Sequence, residues 1–255
     1  MENAFGQPQH VVVLGGSSDI ARALVKKLCA ARAHTVVLAG RNPELLERAE
    51  REALDYGATT TATVTFDAQD PSSAERAVAE SFEKAGGHVD LVIMAVGLLG
   101  NQSRDEDDVA KVTEMMNVNL TWPVAALSAA RTRLLAQGSG RILVISSVAA
   151  VRVRRSAYLY AGAKAGLDRI AEAMADSLEG TGVSLQIVRP GAVRTRMTAG
   201  LDEVPFTTGV NEVADNVMKG LASNQRIIWS PPLLQYVFAV LRHLPRPLWR
   251  KVMDR

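Results

Sequence analysis

Short apolar runs alternate along this chain with longer segments in which apolar residues recur every three or four positions. The runs HVVVL at 10–14, TVVLA at 35–39, TATVTF at 61–66, VDLVIMA at 89–95, RILVISS at 141–147, SLQIV at 184–188 and RIIW at 226–229 read as strands. Between them, 23–31, 43–56, 73–85 and 109–135 carry helical periodicity, the last interrupted by Pro123. Strands that alternate with helices in this way form a parallel sheet joined by right-handed crossovers. The expected fold is α/β, a single doubly wound parallel sheet with helices on both faces. Such sheets bind ligands beyond the carboxyl ends of their strands, so the turns that follow each run are where chemistry is sought.

The first run leads into Gly15-Gly16-Ser17-Ser18-Asp19-Ile20-Ala21 and then into a helix. Glycines at a strand-to-helix turn let backbone N–H groups approach a phosphate, and the helix N-terminus adds partial positive charge. Gly15, Ser17, Ser18, Asp19 and Ile20 are therefore expected to cradle a pyrophosphate in a Rossmann-type domain, with a plain tight turn as the competing reading. The second run ends at Gly40-Arg41. An acid commonly stands there to bind the ribose 2′-hydroxyl of NAD, whereas an arginine suits a 2′-phosphate and favours NADPH. A solvated Arg41 is the alternative. The third run ends at Asp67-Ala68, where a carboxylate either accepts from an adenine amino group or caps the turn at 70–72. The fourth ends at Ala95-Val96-Gly97, whose Ala95 and Gly97 join the coenzyme-binding set. After the sixth, Pro190-Gly191-Ala192-Val193-Arg194-Thr195 turns the backbone where a nicotinamide carboxamide belongs. Pro190, Gly191, Val193 and Thr195 are its expected contacts, and 196–210, rich in turn formers, fits a mobile lid.

Chemistry concentrates at YAGAK, Tyr160 to Lys164, with Ser147 at the end of RILVISS. Residues four apart on a helix share a face, so the phenol and the ammonium point into one space. A nearby cation favours phenolate, which makes Tyr160 a proton donor and acceptor near neutrality, and the Ser147 hydroxyl is placed to hydrogen-bond a reacting oxygen. The bland alternative is a tyrosine that merely packs. Asn119, amid Leu120, Val124 and Leu127, either anchors a water for proton relay or bridges two elements. Arg152, Arg154 and Arg155 lie between Ser147 and Tyr160 and suit an anionic, phosphate-bearing substrate, or else form a solvated loop.

At 255 residues and 47% hydrophobic, the chain can bury one core. The expected division is a catalytic domain at 1–230 and an apolar, basic tail at 231–255. A net charge of +2 gives no argument for nucleic acid. The lone cysteine, Cys29, has no intrachain disulfide partner, and no metal-ligand pattern is present. MENAFGQPQH lacks a secretory signal's pattern, so the expected location is the cytoplasm, at the inner face of the plasma membrane if the tail is an anchor. That tail, LLQYVFAVLRHL followed by PRPLWRK, is too short to span a bilayer. It reads either as an interfacial anchor or as a helix buried against the body or the partner subunit of a homo-oligomer.

In this order and spacing, Gly15, Asn119, Ser147, Tyr160, Lys164 and the PGxxxT stretch at 190–195 resemble the short-chain dehydrogenases/reductases over about 11–229. The resemblance implies that Tyr160 is the acid/base, Ser147 orients the reacting oxygen, Lys164 binds the ribose and tunes Tyr160, and Asn119 holds the relay water. The chain departs from the family at Asp19 and Ala21, where glycines are usual, and at Ala95-Val96-Gly97, where Asn-Ala-Gly is usual. A carboxylate at Asp19 repels a pyrophosphate unless it turns away or caps the helix. GGSSDI, AVGLLG, RVRRSAYLYAGAKAGLD, RPGAVRTRM and the tail from Trp229 to Lys251 are similar to the decaprenylphosphoryl-2-keto-erythro-pentose reductases of actinobacteria. That likeness implies reduction of a 2-keto pentose on a polyprenyl phosphate, for cell-wall arabinan, beside a flavin-dependent oxidase. It also implies NADH, against the reading of Arg41. The rival expectations are a general carbonyl or 3-oxoacyl reductase and a non-catalytic nucleotide-binding regulator.

Overall fold

The computed structural model describes residues 6–253. In chain order its first elements are β1 (His10–Leu14), α1 (Asp19–Ala30), β2 (Thr35–Gly40), α2 (Pro43–Asp55), β3 (Thr60–Thr65), α3 (Ser73–Lys84) and β4 (Leu91–Met94). There follow α4 (Gln102–Asp105), α5 (Val109–Met116), a π-helical segment at Asn117–Thr121, α6 (Trp122–Gln137), β5 (Gly140–Ile145) and α7 (Tyr158–Asp176). The chain continues through β6 (Val183–Pro190), β7 (Val193–Arg194), β8 (Thr208–Gly209), α8 (Val210–Ala222), β9 (Ile227–Ser230), α9 (Leu234–Leu241) and α10 (Arg246–Met253).

Seven strands form one sheet in the order β3-β2-β1-β4-β5-β6-β9, and every neighbouring pair is parallel. The order reverses at β1, so the crevice between the β1 and β4 ends is a topological switch point. Apolar residues on both faces of each strand explain the two cores. Val12, Leu14, Val92 and Met94 pack with α3, α6 and α7, while Val11, Val13, Leu91 and Ile93 pack with α1, α2 and α8. The doubly wound α/β architecture expected from the pattern is the one observed.

Two local features shape the crevice. Gly15 has φ +97°, and a Cβ there would lie 2.6 Å from the Ala95 carbonyl carbon and oxygen. Only glycine lets the first turn approach the end of β4 so closely. The long helix expected at 109–135 is broken by the π segment just before Pro123. Proline has no N–H to return to the carbonyl four residues back, that of Asn119, and its ring crowds that carbonyl. The ladder widens there and carries Asn119 inward, fully buried.

The tail folds back on the body. Leu234 is buried against Gly191, and Phe238 stacks on Trp229 with ring centroids 6.2 Å apart. Arg152 donates from Nη1 to the Leu241 carbonyl at 2.5 Å and from Nη2 to the Leu244 carbonyl at 2.6 Å, and its guanidinium lies 4.5 Å from the Trp249 ring centroid. The carbonyls left open as α9 ends are thereby satisfied by a cation. Tyr236 and Val240, 69% and 67% exposed, face away from the body. Among the described residues no helix is long and apolar enough to cross a membrane.

Replacing Arg152 by alanine removes both donors and the cation over Trp249 together. Limited trypsin digestion is then expected to cut after Arg242 and Arg250 several-fold faster than in the unaltered protein, as local opening becomes easier. An unchanged cleavage rate means that Arg152 does not hold the tail.

Candidate active site

Three side chains from two elements converge at the carboxyl ends of β4 and β5. Tyr160 and Lys164 stand on one face of α7, and Ser147 follows β5 in extended conformation. The Ser147 hydroxyl is hydrogen-bonded to the Tyr160 phenol and also accepts from the Ala149 amide at 3.1 Å. Lys164 is buried, its Nζ donating to the carbonyls of Val96 at 3.3 Å and Ile145 at 3.4 Å. A Cβ on Gly97 would meet Asn119 Oδ1 at 3.0 Å and Lys164 Nζ at 3.2 Å, so the β4 turn, the π segment and α7 touch at one point.

The electrostatics differ from the sequence expectation. Burial raises the Tyr160 phenol above its ordinary value, and the hydrogen bond from Ser147 offsets only part of that. Burial also lowers Lys164 to about 8. A desolvated ammonium is itself disfavoured, so it does not pull the phenol down as a solvent-facing cation would. Tyr160 therefore keeps its proton near neutral pH. Asn119 uses its side chain as a bridge. Its Oδ1 accepts from the Leu98 amide at 3.1 Å, and its Nδ2 donates to the carbonyls of Leu98 at 3.0 Å and Met115 at 3.1 Å. The side chain thus bridges the turn after β4 to the end of α5.

The glycine-rich turn sits beside this cluster. Ser18 caps α1, and among the described residues the amides of Ser17, Asp19 and Ile20 have no acceptor within the protein. Free donors at a helix start behind a glycine turn fit a pyrophosphate. The Asp19 carboxylate turns aside, accepting from the Arg196 amide at 2.7 Å and its Nε at 2.8 Å. Ala95 and Gly97 line the opposite edge, and Gly15 touches Ala95. Arg41 is exposed at the end of β2, and Asp67 is exposed with Oδ1 accepting from the Gln69 amide at 3.0 Å, so it caps its own turn. Ala68 is buried beside it. Pro190 and Val193 are buried, Gly191 packs on Leu234, and the Thr195 hydroxyl lies 3.2 Å from that of Thr198 in a capping box. Of the three loop arginines, Arg152 is engaged by the tail, each terminal nitrogen donating to a main-chain carbonyl there. Arg154 and Arg155 are exposed.

A buried network that the sequence reading passed over holds the cluster in place. Arg189, at the end of β6, donates to Asp168 from Nε at 3.1 Å and Nη2 at 2.6 Å, and to Glu172 at 2.6 Å. The neighbour of Ser147, Ser146, donates to Asp168 at 2.6 Å. One guanidinium and one carboxylate thus tie α7 to the ends of β5 and β6. An acid pair four apart on α7, and an arginine closing an apolar run, are the sequence signals.

Two measurements follow. A lysine that titrates lower when folded than when unfolded binds fewer protons in the native state, so its burial penalty is fully present below about 8 and is relieved as pH rises toward 10.5. Coenzyme-free Lys164→Met is expected to melt higher than the unaltered protein at pH 7, with the difference shrinking between these values. A difference constant with pH would exclude buried charge as its source. Asp168→Ala leaves Arg189 with Glu172 alone, and urea unfolding is expected to show a loss of roughly 3 kcal/mol, as for a broken buried pair.

Comparison with known proteins agrees with this geometry. A family model described as short chain dehydrogenase matches residues 9–204. An uncharacterized oxidoreductase of Streptomyces coelicolor is 38% identical over 252 residues, 99% of each chain. An uncharacterized oxidoreductase of Mycobacterium tuberculosis is 38% identical over 242 residues, 95% of this chain and 96% of the other. Among solved structures, a Burkholderia cenocepacia short chain dehydrogenase in complex with NADP superimposes with TM-score 0.76 at 25% identity, covering 87% of this chain and 95% of that one. A variant actinorhodin polyketide ketoreductase with NADPH does so with TM-score 0.76 at 22% identity and the same coverage. The chain belongs to the short-chain dehydrogenase/reductase family of NAD(P)-dependent oxidoreductases.

Proposed function

We propose that this protein reduces a keto group on a lipid-linked, phosphate-bearing sugar, and that the meeting of Ser147, Tyr160 and Lys164 at the sheet's carboxyl edge is the observation that carries the reading. The coenzyme supplies hydride to carbon when bound. Ser147 holds the substrate oxygen, Tyr160 gives it a proton, and Lys164 binds the ribose. A phenol kept neutral by burial suits the reductive direction, because that step needs a proton donor. The Asn119 main-chain carbonyl, rather than its amide, is the place for a relay water.

The favoured substrate is the 2-keto pentose of a polyprenyl phosphate, delivered by a flavin-dependent oxidase and returned as an arabinose-configured donor. Support comes from the sequence likeness, from the exposed Arg154 and Arg155 between Ser147 and Tyr160, and from the exposed apolar residues of the tail. The same tail supports contact with the inner face of the plasma membrane. Arg41 favours NADPH and the subfamily likeness favours NADH. A homo-oligomer and the division at residue 230 complete the reading.

The test follows NADH and NADPH oxidation separately with a freshly oxidised polyprenyl-phosphate pentose. Tyr160→Phe is expected to lose at least about a hundredfold in turnover, the scale of a general acid. Arg154→Ala with Arg155→Ala is expected to lose activity on the phosphorylated substrate and to spare a small neutral ketone. Equal losses on both substrates, or turnover of the neutral ketone alone by the unaltered protein, would replace the lipid-phosphate reading by a general carbonyl or 3-oxoacyl reductase.

A further inference from the structure

The family's usual glycine at the pyrophosphate turn is an aspartate here, and its carboxylate is more heavily bonded than an N-terminal helix residue needs. Asp19 accepts from the amide and Nε of Arg196, pairs with its Nη2 at 2.7 Å, and has Arg22 Nη1 at 3.5 Å. Arg196 Nη2 also donates to the Ser17 carbonyl, inside the glycine turn itself. These contacts hold the Asp19 carboxyl below its ordinary range even though burial opposes them. Arg22 is itself committed, donating from Nε to Glu52 at 2.8 Å and pairing with it through Nη2 at 2.5 Å, so Arg196 is the cation that neutralises Asp19. Residues 19 and 196 are 177 apart in sequence. Their contact fastens the segment after Thr195 to the edge of the turn whose Ser17, Asp19 and Ile20 amides have no acceptor among the described residues.

We infer that Arg196 is the counter-ion that lets this chain bind its coenzyme with a carboxylate at the pyrophosphate turn, and that the Asp19–Arg196 pair straps the loop after Thr195 across the crevice and slows coenzyme release. The inference rests on the coenzyme-binding reading above. Its electrostatic content is asymmetric. Without Arg196, an uncompensated carboxylate faces a dianionic pyrophosphate from the same helix start. Without Asp19, the repulsion disappears together with the strap. With neither, the turn reverts to the arrangement usual in the family.

The experiment measures NADPH and NADH binding by nicotinamide fluorescence on the full chain, with dissociation rates by stopped-flow displacement. Arg196→Ala is expected to weaken binding about tenfold or more, since like charges a few ångströms apart repel even at a surface. Asp19→Gly with Arg196→Ala is expected to regain most of that loss. Asp19→Gly alone keeps affinity within a few-fold and releases coenzyme faster. Arg196→Lys, which keeps the charge and loses the fork, falls between Arg196→Ala and the unaltered protein. Full affinity in Arg196→Ala, or no recovery in the double variant, overturns the inference while the coenzyme reading stands. Failure of the unaltered protein to bind either coenzyme overturns both.

Discussion

The arrangement of Ser147, Tyr160 and Lys164 depends on a buried salt bridge, Asp168 to Arg189. Asp168 and Arg189 are buried, and their mutual hydrogen bonds, shared with Ser146 and Glu172, fix the rotation of α7 against β5 and β6. A buried pair adds little net stability compared with a well-packed apolar substitute, but it has few alternative geometries. Here that directionality falls where it matters. Asp168 lies one turn beyond Lys164 on α7, and Ser146 immediately precedes Ser147, so the network sets the register of both sides of the site.

Once α7 is placed, the properties of its inward residues follow from burial. Lys164 carries its ammonium out of water, and that desolvation lowers its affinity for a proton even though the carbonyls of Val96 and Ile145 accept hydrogen bonds from it. Tyr160 is desolvated in the same space and holds its proton more firmly. Burial thus shifts both members of the pair toward their uncharged forms. The β4 turn fits against them because Gly97 leaves no side chain between Asn119 and Lys164.

The far rim is built from charged residues that bind other parts of the protein. Arg152 caps the end of α9 and shelters Trp249, which converts a presumed ligand of the substrate into a fastening for the tail. Arg196 is used in the same manner at the glycine turn after β1. Both arginines sit in loops, and both close a gap between segments distant in sequence. Guanidinium serves this purpose better than ammonium because its planar fork satisfies two acceptors at once.

The sequence by itself determined the strands, their parallel arrangement and the turns at their carboxyl ends. Those rest on local periodicity, glycine placement and the i, i+4 spacing of Tyr160 and Lys164, which act within a few residues. It also located the break near Pro123, since a missing N–H is a property of one residue. Only the tertiary structure decided what Asn119 bonds, where the Asp19 carboxylate turns, and that Arg152 belongs to the tail. Each of these is a choice among partners roughly 20 to 180 positions away. Long polar side chains have many acceptors within reach, and packing of the two cores selects among them by fixing which loops meet. The sign of the Tyr160 shift was likewise invisible beforehand, because desolvation depends on how completely the surrounding elements close over a group, and no spacing rule encodes that.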